Sequence, residues 1–275
     1  MRFDRPLWPE PVGYESVRVY SGTPRNRVSV RSIRYDLLNW TLRYGLGGRL
    51  TARALYQVEL PGAGGTTGPR AFDGGALEPG AIPLAFSFFT ADSASSNLPA
   101  DAPAPSCAEI VPVFERHCSS GCCHGGDSPA MGLRLDSRDG LMATAIGRVA
   151  HQTETAGTVG LPHSHPERFG TAMPLIDPGS AATSYLVYKL LIAPGEFEPC
   201  ADESCAPFTT LPGAERCAPW PEAERSRLRD WFVRGEAMPL APWRAGCSED
   251  EPSRPLDCAS LHALVRFVDA GAACE

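Results

Sequence analysis

The chain has 275 residues, 43% of them hydrophobic and 21% charged, a balance that excludes wholesale disorder and leaves room for two ordinary domains or one large one. Its net charge of −7 and pI near 5.4, with basic residues spread thinly rather than gathered in blocks, exclude a polynucleotide-binding surface. Only Lys189 among the 25 basic residues is a lysine, which reads as the codon bias of a GC-rich genome rather than as function.

The amino-terminal part is a series of short runs rich in β-branched and aromatic residues: VRVY (17–20), VSVRSIRY (28–35), WTLRY (40–44), LYQVEL (55–60) and LAFSFFT (84–90), separated by Gly and Pro clusters. Such strands predict a β-sandwich over residues 1–90. In Leu50–Thr90 a strand ends at Leu60, a loop carries Asp73-Gly74-Gly75, and a last strand ends in Phe86-Ser87-Phe88-Phe89-Thr90. This segment resembles the C-terminal half of bacterial Ig-like domains, and the resemblance implies a partial Ig-like spacer or adhesion unit of an exported protein. So few residues precede Val17 that the first strands of such a module would be missing and a sheet edge left open, so an incomplete amino terminus is expected.

Residues 91–106, ADSASSNLPADAPAPS, have little to bury and read as a linker. After it the apolar period becomes helical, over Glu109–His117, Ser184–Leu191, Pro221–Gly235 and Ser260–Gly271. Four short helices joined by long loops predict a mainly α domain over 107–275. Pro221 with Glu222 and Glu224 marks a helix start, and Gly235 and Gly271 stand where C-terminal caps belong. The segments 228–235 (LRDWFVRG) and 264–271 (LVRFVDAG) echo each other, although two copies make no solenoid.

All ten cysteines (107, 118, 122, 123, 200, 205, 217, 247, 258 and 274) follow the linker. Their number is even and too large for a reducing cytosol unless metal is bound, so an oxidising compartment, periplasm or cell surface, and disulfide-stapled loops are expected. The turns around them allow Cys200 to pair with Cys205 and Cys217 with Cys247. The first thirty residues hold no apolar h-region, and no run of about 18 apolar residues could span a bilayer, so a leader, with any lipid anchor, is expected upstream.

The densest chemistry is Cys118-Ser-Ser-Gly-Cys122-Cys123-His124, three thiols and an imidazole in seven residues, followed by Gly125-Gly126. In a c-type haem site two thiols add across the porphyrin vinyl groups, and the histidine directly after the second cysteine ligates iron. The usual spacing places two residues between the cysteines; Ser120 occupies the position three before Cys123, so the fit here is Cys118, four residues, Cys123, His124. Around it lie Val113-Phe114, Cys123-His124-Gly125 and Gly132-Leu133-Arg134-Leu135-Asp136. Further on come Ile176-Asp177-Pro178-Gly179-Ser180, Ser184–Leu190 and Leu228–Gly235. In order and spacing these pieces resemble the cytochrome c-like domains, including the planctomycete type, of large exported bacterial proteins, over roughly half the chain. The resemblance implies one covalent haem on Cys118 and Cys123, His124 as proximal ligand, and electron transfer to a redox partner protein rather than catalysis.

Family members commonly carry Met-Pro before the last helix, where this chain has Arg216-Cys217-Ala218-Pro219. Met238-Pro239 follows that helix, and aligning it instead makes Met238 the sixth ligand and residues 240–259 an insertion; Met173-Pro174 is a second option, and an open iron position a third.

Other readings stand beside this one. Cys118, Cys122 and Cys123 could instead be disulfide partners in a haem-free binding or structural module. His163 and His165, two apart in an extended loop, could bind zinc or copper with His124 and a thiolate of Cys122 or Cys123, although a solvated loop is the simpler expectation. His117 is expected to face solvent or cap its helix. Met131, Met142, Trp231 and Phe232 are expected in the core, and Asp177-Pro-Gly-Ser in a turn. Stretches such as Gly62-Ala-Gly-Gly65 lack the lysine and helix of a phosphate site, and no Ser-His-Asp or paired-carboxylate arrangement appears, so hydrolase and kinase chemistry is not expected.

Overall fold

The computed structural model describes residues 1–8, 12–22, 25–61, 68–71, 75–78, 84–92, 103–119, 123–150, 173–193, 197, 200, 205–211, 213–214, 217, 220–233, 236–239 and 256–274. The chain divides into two units, Met1–Asp101 and Ala102–Glu275.

In the first unit the alternating runs become strands β1 (Arg18–Ser21), β2 (Asn26–Val28), β3 (Val30–Asp36), β4 (Thr41–Leu46), β5 (Leu55–Glu59) and β6 (Ala85–Phe89). They form a four-stranded antiparallel sheet in the order β2-β1-β5-β6 and a separate two-stranded sheet, β3-β4. The period of two places Val19 and Val58, which pair, on one buried face, and Tyr56 stacks on its partner Phe88 with ring centroids 5.6 Å apart. The Tyr35 hydroxyl accepts a hydrogen bond from the Leu7 amide at 2.8 Å, and the amino-terminal ammonium donates to the Leu42 carbonyl at 2.9 Å.

The expected partial Ig-like β-sandwich is not formed. The run 28–35 is not one strand: it breaks at Ser29, so β2 and β3 enter different sheets. Among the described residues β3 and β4 form a two-stranded hairpin, with Met1 and Arg2 bonding along the β4 edge at Thr41 and Leu42, in place of the second layer that a sandwich requires. Trp40 is not in a strand either; it sits at φ 51° in the turn before Thr41.

In the second unit the helices are α1 (Cys107–Cys118), α2 (Arg138–Thr144), α3 (Tyr185–Leu191), α4 (Glu222–Trp231) and α5 (Cys258–Asp269). They occupy less than half of the unit's described residues, so it is not the mainly α domain expected; irregular chain and short 3-10 turns, tied by disulfides, supply the rest. The capping box of α1 is made by Ser106, whose amide donates to the Glu109 carboxylate at 2.7 Å, and its apolar face buries Ile110, Val113 and Phe114. Every residue of α3 is buried. Phe232, at the end of α4, stands edge-on to Tyr185 and Tyr188 at 5.3 and 5.2 Å. Arg229 and Arg225 of α4 donate to the carbonyls of Ile192 and Ala193, each at 2.7 Å, and so cap the end of α3. Gly271, at φ 107°, ends α5 as expected of a left-handed cap, whereas Gly235 lies outside the described residues.

Three disulfides join the described residues of this unit: Cys107 to Cys274, Cys200 to Cys205 and Cys217 to Cys258. The expected Cys200–Cys205 link is present. Cys217 pairs with Cys258 at the start of α5 and not with Cys247, because Asp257 caps that helix and sets Cys258 on its first turn beside Cys217. Cys122 and Cys247, most of the linker 91–106 and most of the insertion 240–259 lie outside the described residues.

Met131 is not a core residue: at φ 55° in the turn Ala130–Gly132 its side chain points outward and is 80% exposed. Met142, on the outer face of α2, is 46% exposed. Phe232 is fully buried as expected, while the Trp231 side chain lies outside the description.

Candidate functional site

Helix α1 ends at Cys118, and the chain turns back so that the His124 amide donates to the Cys118 carbonyl at 3.0 Å. Two further backbone bonds hold the loop, from Ala130 to the Cys123 carbonyl at 2.6 Å and from Leu135 to the His124 carbonyl at 2.7 Å. A β-carbon on Gly125 would lie 2.5 Å from the Ser119 carbonyl oxygen, so only glycine lets these two backbones approach. The Gly126 amide donates to Asp136 at 2.8 Å, and that bond, ahead of the nearby Arg134, holds the carboxyl below its ordinary range. Gly125 and Asp136, read as part of one motif, thus build one loop.

Cys118 and Cys123 are thiols, outside the three disulfides just described. Burial of its sulfur, and then the adjacent Cys123 sulfur, pushes the Cys118 thiol up to about 12, so it stays protonated at neutral pH. The His124 ring is half-buried, and its Nδ1 is buried without a hydrogen-bond partner. Burial, joined by the Lys189 ammonium, lowers its pKa against the opposing carbonyls of Ala130 and Leu133, and so favours the neutral imidazole that binds metal. The described residues therefore hold two thiols outside the disulfides and an imidazole whose neutral form burial favours, all between positions 118 and 124.

Lys189 is the neighbour that sequence reasoning passed over. It is buried on α3, its ammonium donates to the Glu236 carbonyl at 2.7 Å, and its own carbonyl accepts from the Met238 amide at 3.0 Å. Desolvation, only partly offset by Glu236, lowers its pKa to about 8. Through Lys189, segment 236–238 is anchored to the element whose charge acts on His124. Met173 is buried, and its carbonyl accepts from Ala150 at 3.0 Å.

His117 is buried, contrary to the solvent-facing or capping role expected of it, because its Nε2 packs 3.8 Å from the buried carboxylate of Asp257, the cap of α5. His163 and His165 lie outside the described residues, as does Cys122. A second cluster went unread: one ligand atom each from Cys217, Cys258 and His262 lie within 4.8 Å of one another. The four-residue step from Cys258 to His262 on a helix was its sequence signal; Cys217 gave none.

Three disulfides fit an extracellular or periplasmic protein, and no helix among the described residues is long and apolar enough to cross a membrane. No known family model and no curated protein matches the chain.

Proposed function

We propose that the chain is an exported cytochrome c-like protein of the planctomycete type, in which Cys118 and Cys123 would hold one covalent haem and His124 would be its proximal ligand, and which passes electrons to a partner protein. The observation that carries this reading is that Cys118 and Cys123 stand outside the described disulfides, that the His124 amide is bonded to the Cys118 carbonyl, and that burial lowers the pKa of the His124 ring. Haem, when bound, supplies a one-electron iron couple. The residues do the rest. Cys118 and Cys123 would hold the group through thioether links, each S–H adding across one vinyl group, and His124 would supply an imidazole nitrogen as its proximal ligand. Met238, anchored through Lys189, is the better supported sixth ligand of the two methionines. The disulfides are in keeping with a periplasmic or cell-surface location.

One observation favours a second reading, a haem-free disulfide module. Cys200 and Cys205 have the same four-residue spacing as Cys118 and Cys123 and are joined, Cα to Cα 5.6 Å. A visible spectrum, pyridine haemochrome and intact mass on protein matured in a periplasm equipped for cytochrome c assembly separate the two. One haem's added mass and a c-type spectrum, both lost in Cys123→Ser, are expected. Colourless protein at apoprotein mass, with Cys118 and Cys123 resistant to alkylation, would leave the disulfide module.

A further inference from the structure

We propose that Cys217, Cys258 and His262 form a redox-gated site for a zinc-class cation, closed as the Cys217–Cys258 disulfide and opened when a dithiol reductant cleaves it. The site is separate from Cys118–His124 and does not rest on haem attachment.

The helix supplies two ligands in one stroke. Cys258 and His262 are four residues apart in α5, so they share a face one turn from each other, and both are buried, 7% and 8% exposed. The third comes from the loop before α4: Cys217 is half-buried and held with its Cα 5.4 Å from that of Cys258. The imidazole is placed by backbone. Gly213, at φ +91°, packs on the ring so closely that a β-carbon there would lie 2.7 Å from Cε1 and within 3.5 Å of both ring nitrogens. A larger residue would push the ring away from the sulfurs, so this glycine meets both a left-handed backbone and a close approach.

Two thiolates and an imidazole are a soft donor set, suited to zinc with one position left for water. The half-buried Cys217 side leaves that position a way in. Opening the site costs two electrons and two protons: the dithiol becomes a cyclic disulfide while Cys217 and Cys258 become thiols. Zinc then forms two Zn–S bonds and one Zn–N bond, displaces the two thiol protons and does not change oxidation state. The disulfide therefore acts as the lock on the site.

The test uses the full chain, reduced with dithiothreitol, desalted without oxygen and titrated with Co2+ as the spectroscopic probe for zinc. Sulfur-to-cobalt charge transfer for one ion per chain is expected, absent in the oxidised chain. It should be weakened more than about tenfold in His262→Gln and in Cys217→Ser, and unchanged in the Cys118→Ser/Cys123→Ser and Cys200→Ser/Cys205→Ser double variants. Zn2+ should also slow alkylation of Cys217 and Cys258 in the reduced wild-type chain, mapped by peptide mass, a readout that needs no variant to fold. Equal alkylation with and without Zn2+ overturns the proposal. So does cobalt binding that survives both single variants or follows the other cysteines, and so does a chain that unfolds on reduction even with Zn2+ present.

Discussion

Lys189 is costly where it sits. Burial strips its ammonium of most of its hydration, and its pKa falls from 10.5 to about 8 although Glu236 opposes the shift. The unfolded lysine keeps its proton up to about 10.5 while the folded one releases it near 8, so between these values the unfolded chain binds more protons and stability rises with pH. Below both, the penalty is constant, about 3 kcal/mol on the usual conversion. Lys189→Met removes it and gives up one hydrogen bond, worth about 1 kcal/mol. The haem-free variant should be more stable than wild type by about 2 kcal/mol at pH 7, the advantage shrinking to nothing towards pH 10. Urea midpoints across that range check it; a difference that does not vary with pH would show that the charge is not what the site tolerates. His124 gives the matching acid-side case. Its pKa is lowered on folding, so below its unfolded value near 6.5 the unfolded chain takes up the proton first and stability drops. His124→Asn should flatten that part of the profile in the haem-free chain.

At the scale of elements, α5 holds the second unit's core, ten of its twelve residues being buried. Its start depends on Asp257, whose carboxylate accepts from the Ser260 amide at 2.8 Å and hydroxyl at 2.6 Å while His117 lies 3.8 Å away. Asp257→Ala should cost about 2 to 3 kcal/mol, the cap plus a buried hydroxyl left unpaired. Asp257→Asn, which keeps an acceptor for the amide, should cost less. A loss under about 0.5 kcal/mol for the alanine variant in urea melts would remove the cap from the account. The elements differ in how legible they were. β5 and α1 were readable because a two-residue or helical period runs through them, although the Ser106–Glu109 box that starts α1 at Cys107 went unread. α2 was missed because seven residues containing Gly140, with only Leu141 as a buried side chain of size, carry no period. α4 was drawn too long because Phe232 and Val233, which fit its pattern, turn inward after Trp231 and are buried. Pairing was least legible. Nothing local says that Ser29 parts two sheets, that Cys258 takes Cys217, or that the charge of Lys189 reaches His124, since each depends on residues far apart in the chain. Cys118, Cys123 and His124 were legible because seven consecutive residues hold them.

Over the whole molecule the disulfides are distributed unevenly. All ten cysteines follow residue 106, so the unit Met1–Asp101 has none, and its order rests on strand pairing and a small apolar core. The unit Ala102–Glu275 is closed on itself by Cys107–Cys274, a link spanning 167 residues from the start of α1 to the end of the chain. Its C-terminal partner is held again by Arg138 of α2, which donates to the Cys274 carbonyl at 2.5 Å. On chain-entropy grounds a loop of that length is worth about 5 kcal/mol, the largest contribution among the three described links, because the penalty removed from the unfolded state grows with the logarithm of the loop. The short Cys200–Cys205 loop is worth least on the same grounds. Cys107→Ala/Cys274→Ala should therefore lower the melting temperature of the second unit far more than Cys200→Ala/Cys205→Ala does. Neither change should move the transition of the first unit, which calorimetry of the full chain before and after reduction would show as the peak that does not shift. If both peaks moved together, the two units would unfold as one, and stability could not be assigned to either by its own covalent links.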